Sequence, residues 1–377
     1  MRSVLAAAGA VLATAAIAAP AAAASPSPAA IGPVIGGAQL SGRGVLVNYP
    51  SRAVPRLPKI KASAWVIADA GTGQVLAAKD PHGWYRPAST LKVLTAISLI
   101  PALNPNATVV ASKQATTVSP NIVGLMRGHS YKVSDLFTAL LTISANDAAM
   151  ALAQATGSLS QGMAVINAEA RHLQADDTVA VTPNGLDAPG QHTSAYDLAL
   201  FARQALRMPA FLKYDQTTSG QFRISKKKSV GLWNQNTLLA TYPGALGGKI
   251  GWTSAAGATY VGMARRHSVT LIVSLLHCPA LTEITAGKSL LNWGFAVDGK
   301  VRPVGTLVGP KQPPAPTPAP LRPAVTAQRA DRPDRAQSVG SGPSVLATAG
   351  FSCVALLVAG IGFAYTRRQR SAAQRRS

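Results

Sequence analysis

Three short patterns in this 377-residue chain place a hydroxyl near an amine or amide at spacings that suit nucleophilic catalysis. Ser-x-x-Lys occurs as Ser89-Thr90-Leu91-Lys92 and again as Ser225-Lys226-Lys227-Lys228. The first match follows Arg86-Pro87-Ala88 and opens the apolar run Leu91, Val93, Leu94, Ile97, Ile100, which predicts a buried helix stopped at Pro101. Residues three apart on a helix share a face, so Lys92 would lie over Ser89. Burial would favour its neutral amine, a base able to take the Ser89 proton. The same spacing also suits a serine that caps the helix and a lysine that reaches water. The second match lies in a run of three lysines and reads as a solvated loop or strand edge.

Ser-x-Asn also occurs twice. Ser119-Pro120-Asn121 sits in a turn-like stretch, whereas Ser144-Ala145-Asn146 interrupts the helical pattern from Leu136 to Ala155. Polar groups inside an apolar segment need partners or a task; a helix cap would supply the first. Lys249-Ile250-Gly251 follows Gly247-Gly248 and precedes Trp252-Thr253. Glycine beside a strand admits close approach of a ligand or another backbone, although a hairpin glycine fits as well. Strands are expected at Ala258 to Ala264 and Val269 to Leu276.

The elements that must carry these residues lie between about 61 and 297, where periodic segments alternate with turns. Residues 1–24 begin with Arg2, continue through an Ala-rich apolar run and close on Ala22, Ala23 and Ala24, the pattern of a secretory signal peptide. Residues 25–60 read as an extended leader. Residues 302–343 hold ten prolines and suit a polyproline stalk. Residues 345–365 carry no charge and are followed by Arg367, Arg368, Arg370, Arg375 and Arg376. This predicts a transmembrane helix, a basic cytoplasmic tail at 366–377 and an exported folded domain.

Hydrophobic residues make up 47% of the chain and charged residues 13%, which excludes an intrinsically disordered protein. Of the net charge of +22, +12 falls on residues 25–301 and would draw an exported domain to anionic wall polymers or acidic substrates; a bias toward Arg would give the same figure. Export, and the lack of aromatic residues interleaved with basic ones, argue against nucleic acid. Cys278 and Cys353 fall in the folded domain and the membrane span, so no disulfide is expected.

The three motifs occur in an order, with 55 residues from Ser89 to Ser144 and 160 from Ser89 to Lys249, that resembles the penicillin-recognising serine enzymes and their Ser-x-x-Lys, Ser-Asp-Asn and Lys-Thr-Gly patterns. Within that group the chain resembles the D-alanyl-D-alanine carboxypeptidases, the low-molecular-mass penicillin-binding proteins. The likeness also includes Asn184-Gly185-Leu186-Asp187, Thr193 to Leu198 and Trp293-Gly294-Phe295. It implies an α+β, β-lactamase/transpeptidase-like fold: an antiparallel sheet with flanking helices plus an all-helical lobe from about residue 106 to 211.

The resemblance further implies Ser89 as nucleophile, Lys92 as base and Ser144 as proton shuttle. Asn146, Lys249, Gly251, Trp252 and Thr253 would bind substrate, with the N–H groups of Ser89 and Trp252 as oxyanion hole. The implied substrate is a peptidoglycan stem peptide, with β-lactams as covalent inhibitors and no metal or cofactor. The middle positions of the second and third motifs are Ala145 and Ile250, and His277-Cys278 stands where relatives often carry an Arg. A catalytically impaired wall-binding protein and a serine β-lactamase are the other functions the motifs allow. A class A β-lactamase deacylates with a positioned Glu, and Glu169 and Glu283 are the only glutamates in the folded domain.

Overall fold

A computed structural model describes residues 34–312. The expected signal peptide, the membrane span, the basic tail and most of the stalk lie outside the described residues. Among the described residues no helix is long and apolar enough to cross a membrane.

One seven-stranded antiparallel sheet runs in the order β1 (Val45–Val47), β3 (Gln74–Lys79), β2 (Ala64–Asp69), β10 (Val269–Cys278), β9 (Gly257–Arg266) and β8 (Ala245–Thr253), with β11 (Gly305–Thr306) also on β3. Strand side chains alternate between faces, and both faces here are covered. Trp65, Ile67, Leu271, Val273, Leu275 and Tyr260 pack under α9 (Glu283–Val297), the last helix among the described residues. Val66, Ala68, Ile272, Val261 and Met263 pack toward α1 (Leu91–Leu99) and α6 (Ala195–Ala205). Burial on both sides explains why β2 reads as an unbroken apolar run rather than an alternating one.

The second lobe contains α2 (Lys113–Thr117), α3 (Val133–Thr142), α4 (Asn146–Gln154), α5 (Leu159–His172) and α7 (Pro209–Asp215). It is not wholly helical, because β4 (Thr108–Val110) pairs with β5 (Ser130–Lys132) within it. Three-residue strands are too short to show a period in the sequence. A second ribbon, β6 (Ser219–Ser225) with β7 (Lys228–Trp233), and the short α8 (Leu238–Thr241) lead into β8. The second Ser-x-x-Lys match is the exposed turn of that ribbon.

Both expected domain boundaries move outward. The leader contributes β1 to the sheet, and Val54, Leu57 and Ile60 pack against the cluster around Trp65. Trp293 donates its indole N–H to the Pro55 carbonyl at 3.0 Å. Beyond residue 297, Val304 and Leu307 are buried and β11 pairs with β3, so residues 302–312 belong to the folded unit rather than to a stalk. Pro-rich composition concealed both segments, since each is held by distant partners instead of local periodicity.

Candidate active site

Residues 88–90 form a single 3-10 turn leading directly into α1. The turn is fixed at its start, where the Pro87 carbonyl accepts from Thr90 Oγ1 at 2.5 Å and from Thr259 Oγ1 of β9 at 2.9 Å. Ala88 adopts φ 47°, a left-handed backbone that a residue with a Cβ enters only at a cost of about 1 kcal/mol. Gly185, at φ 81°, backs this turn so closely that a Cβ there would collide with the Ala88 carbonyl. This strained corner presents Ser89 at the mouth of a cleft.

Behind Ser89 lies Lys92, fully buried. Its Nζ is 2.8 Å from Ser89 Oγ, 2.7 Å from Asn146 Oδ1 and 2.6 Å from the Asn184 carbonyl oxygen. A neutral amine has two N–H groups and one lone pair. The two amide oxygens can only accept, so they take the two N–H groups and leave the lone pair facing the Ser89 hydroxyl. Burial, then the nearby charge of Lys249, holds the Lys92 pKa well below its ordinary value, against a smaller upward pull from Asp147.

The second motif sits in a break between two helices. The pattern from Leu136 to Ala155 suggested one helix, but Ser144 at φ 63° separates α3 from α4. A loop from the other side clamps the break. Asn121 Nδ2 donates to the carbonyls of Ile143 at 2.9 Å and Ser144 at 3.0 Å, while Asn146 N donates to the Asn121 carbonyl at 2.8 Å. Asn146 Nδ2 donates to the Pro120 carbonyl at 2.5 Å, which fixes its amide so that Oδ1 faces Lys92. Asp147 secures the loop, accepting from the N–H groups of Val123, Gly124 and Leu125 at 2.9 to 3.1 Å. Ser144 Oγ is buried and has no hydrogen-bond partner among the described residues, so it is available to a substrate.

The third motif lies on β8, the edge strand of the sheet. Lys249 is 2% exposed, lies beneath the cleft rather than on its wall, and donates to the Ile250 carbonyl at 3.0 Å. Burial lowers its pKa to about 8, against an upward pull from Asp215. Asp215 is itself raised by burial to about 7, while the Gly248 N–H and the Lys249 charge pull it down. Gly251 is a mid-strand glycine, not a hairpin glycine. A Cβ there would lie 2.6 Å from the Ser89 backbone nitrogen and 2.5 Å from Thr259 Oγ1. Replacing Gly251 with Ala is therefore expected to displace the 88–90 turn. Misplacement by about 1 Å costs about 10²-fold in rate, and acylation kinetics compared with a thermal melt would separate this from unfolding.

Ser89, Ser144, Asn146, Gly251, Trp252 and Thr253 all line one cleft of about 380 Å³. Lys92 and Lys249 lie under it. Thr253 lines the cleft, but its hydroxyl already donates to Asp187 Oδ1 at 3.2 Å and accepts from the Ala256 N–H at 2.9 Å. It does not make good the hydroxyl missing at Ile250. His277 turns its Nδ1 to the Ala256 carbonyl at 3.0 Å, and Cys278 is buried with its thiol pushed up to about 12 by burial and by Glu283. Glu169 lies on α5 with His172 at 3.1 Å and is not part of the cleft wall. Pro120, Asn121, Gln235 and Glu283 do line it and were not selected from the sequence. The paired Ser119-Pro120-Asn121 pattern was the available signal for the first two.

The family model described as D-alanyl-D-alanine carboxypeptidase, Peptidase S11, matches residues 51–279. D-alanyl-D-alanine carboxypeptidase DacB2 of Mycobacterium tuberculosis is 38% identical over 266 residues, covering 68% of this chain and 90% of that one. A crystal structure of a D-alanyl-D-alanine carboxypeptidase from the same organism, also 38% identical, superposes with a TM-score of 0.65 over 68% of this chain and 99% of that one. Penicillin binding protein 6B from Escherichia coli, 30% identical, gives 0.60 over 68% and 88%. With the motif residues converging on a single cleft and the family match spanning most of the described domain, the chain belongs to the D-alanyl-D-alanine carboxypeptidase family of serine peptidases.

Proposed function

We propose that the protein is a serine D-alanyl-D-alanine carboxypeptidase that removes the terminal D-alanine from peptidoglycan stem peptides. The observation that carries this is the Lys92 amine, buried and held by two carbonyl oxygens so that its lone pair meets the Ser89 hydroxyl. Lys92 takes the Ser89 proton as Oγ attacks the carbonyl between the two D-alanines. The N–H groups of Ser89 and Trp252 stabilise the oxyanion. Ser144, whose hydroxyl is unengaged, passes the proton to the departing D-alanine nitrogen. The Ser89 ester that remains is hydrolysed by water, returning the free hydroxyl and the shortened peptide. Asn146 holds both Lys92 and the substrate amide, and Lys249 supplies positive charge below the cleft.

β-Lactams acylate the same serine in this scheme and leave a slowly hydrolysed adduct. Glu169 lies on α5 with His172, away from the cleft wall, and Glu283 enters the cleft from the first turn of α9 rather than from the helical lobe, which favours a carboxypeptidase over a β-lactamase. The uncharged stretch 345–365, followed by five arginines, supports anchorage in the cell membrane. The signal-like residues 1–24 support export, so the cleft would face the wall from outside.

The test is D-alanine release from a pentapeptide ending in D-Ala-D-Ala by the purified protein. Steady release is expected, together with a penicillin adduct that persists long after unbound drug is removed. Rapid penicillin turnover without D-alanine release would favour the β-lactamase; neither activity, in a folded protein, would favour a wall-binding role.

A further inference from the structure

The cleft wall contains one formally charged side chain, Glu283, and no Lys, Arg or His. Glu283 is 8% exposed, and its Oε2 is buried with no hydrogen-bond partner among the described residues. A buried polar group without a partner is costly, and the open volume beside it is where a partner can come from. Glu283 opens α9, which packs on the cluster that holds Tyr260 and Cys278. Tyr260 is the register partner of Ile250, and Cys278 that of Ala258. Ile250, next in sequence to Lys249, packs against that cluster and lines the cleft together with Glu283, whereas Gly251 packs on Ser89. For a peptide that adds antiparallel to the edge strand β8 with its scissile carbonyl at the Trp252 N–H, the departing end runs back toward Ile250.

The wall of the same region carries no cation, since Lys249 lies beneath it rather than on it. Ile250 has no hydroxyl, the Thr253 hydroxyl is engaged by Asp187, and Arg86 pairs with Asp187 at 3.4 Å. A free carboxylate entering here meets another carboxyl across an apolar wall of Ile250, Ala280 and Leu281. A group carrying N–H bonds finds an acceptor, Glu283 Oε2, that no described residue engages.

We propose that Glu283 sets the specificity of the pocket beyond the scissile bond, which takes a departing group bearing N–H donors, an ammonium or a carboxamide, in preference to one ending in a free carboxylate. The inference rests on the carboxypeptidase function above and refines it: peptides ending in free D-alanine are cleaved, but bind weakly.

Three substrates with a common acyl part test this, their departing groups being D-alanine, D-alaninamide and ethylenediamine. In the wild type, KM is lower for the two N–H-bearing groups than for D-alanine. Glu283→Gln removes the charge but keeps an acceptor, so KM falls about tenfold for D-alanine, rises about tenfold for ethylenediamine and stays nearly level for D-alaninamide, with kcat little changed. Equal shifts for all three, or none, would assign Glu283 a purely structural role and overturn the proposal. Should the variant not fold, the wild type decides alone: D-alaninamide is expected to inhibit more tightly than D-alanine, and the reverse order refutes the proposal. If the wild type cleaves none of the three, the carboxypeptidase function falls and this inference with it. If it cleaves them but Glu283→Gln alters no preference, only the inference falls.

Discussion

Ser89→Ala releases D-alanine at least about 10⁴-fold more slowly than the wild type, because every bond-making step passes through that hydroxyl. The loss is chemical rather than structural. The hydrogen bond to Lys92 at 2.8 Å is the one hydrogen bond of Ser89 Oγ among the described residues, and without it Lys92 still donates to Asn146 and Asn184. A typical hydrogen bond contributes about 1 kcal/mol net, so the melting temperature should move by only a few degrees. Release assays and a thermal melt on the same sample check both halves. Activity within tenfold of the wild type would mean that another group attacks the substrate.

Lys92→Arg lowers kcat/KM by about 10³-fold or more, since general-base contributions run to about 10²–10⁴-fold and a guanidinium stays charged at any working pH. It also forces a permanent charge into a buried site near Lys249, so the fold weakens as well. Lys92→Met separates the two effects: it abolishes the base while keeping an unbranched apolar stem, and should retain more stability than Arg at similarly low activity. In the wild type the acylation rate rises with pH as Lys92 loses its proton, at a pH well below the ordinary lysine range. For stability the sign is the same. The fold disfavours the charged form, so the unfolded chain binds more protons between the folded value and 10.5, and stability increases with pH across that window. Acylation rates over a pH series, with melts in parallel, test the direction of both. An acylation rate that falls as pH rises through this range would exclude a neutral Lys92 base.

The chemistry of the site was legible where local geometry carries it. Ser89 and Lys92 are three residues apart at the entrance to a helix, a spacing that the backbone alone turns into proximity. Ser144 and Asn146 stood out as polar residues in an apolar pattern, although the pattern concealed the helix break at Ser144. Strands β9 and β10 were readable because each is ten residues long. What long-range packing decides was not readable. Asn121 reaches the site from 23 residues before Ser144, and Glu283 arrives on the far helix with no motif around it. Asn184 contributes a backbone carbonyl, for which side-chain identity gives no signal. Strands β1 and β11, of three and two residues, are set by pairing with β3 rather than by their own sequences.

The hydroxyl of Ser89 and the uncharged amine of Lys92 form the centre of this account. Peptide mapping by mass spectrometry after penicillin treatment across a pH series tests them together. The account predicts one covalent adduct per chain, carried on Ser89, whose rate of formation climbs with pH in the wild type and is abolished in Lys92→Met. An adduct on any other residue, or one that forms at an undiminished rate in Lys92→Met, would contradict it.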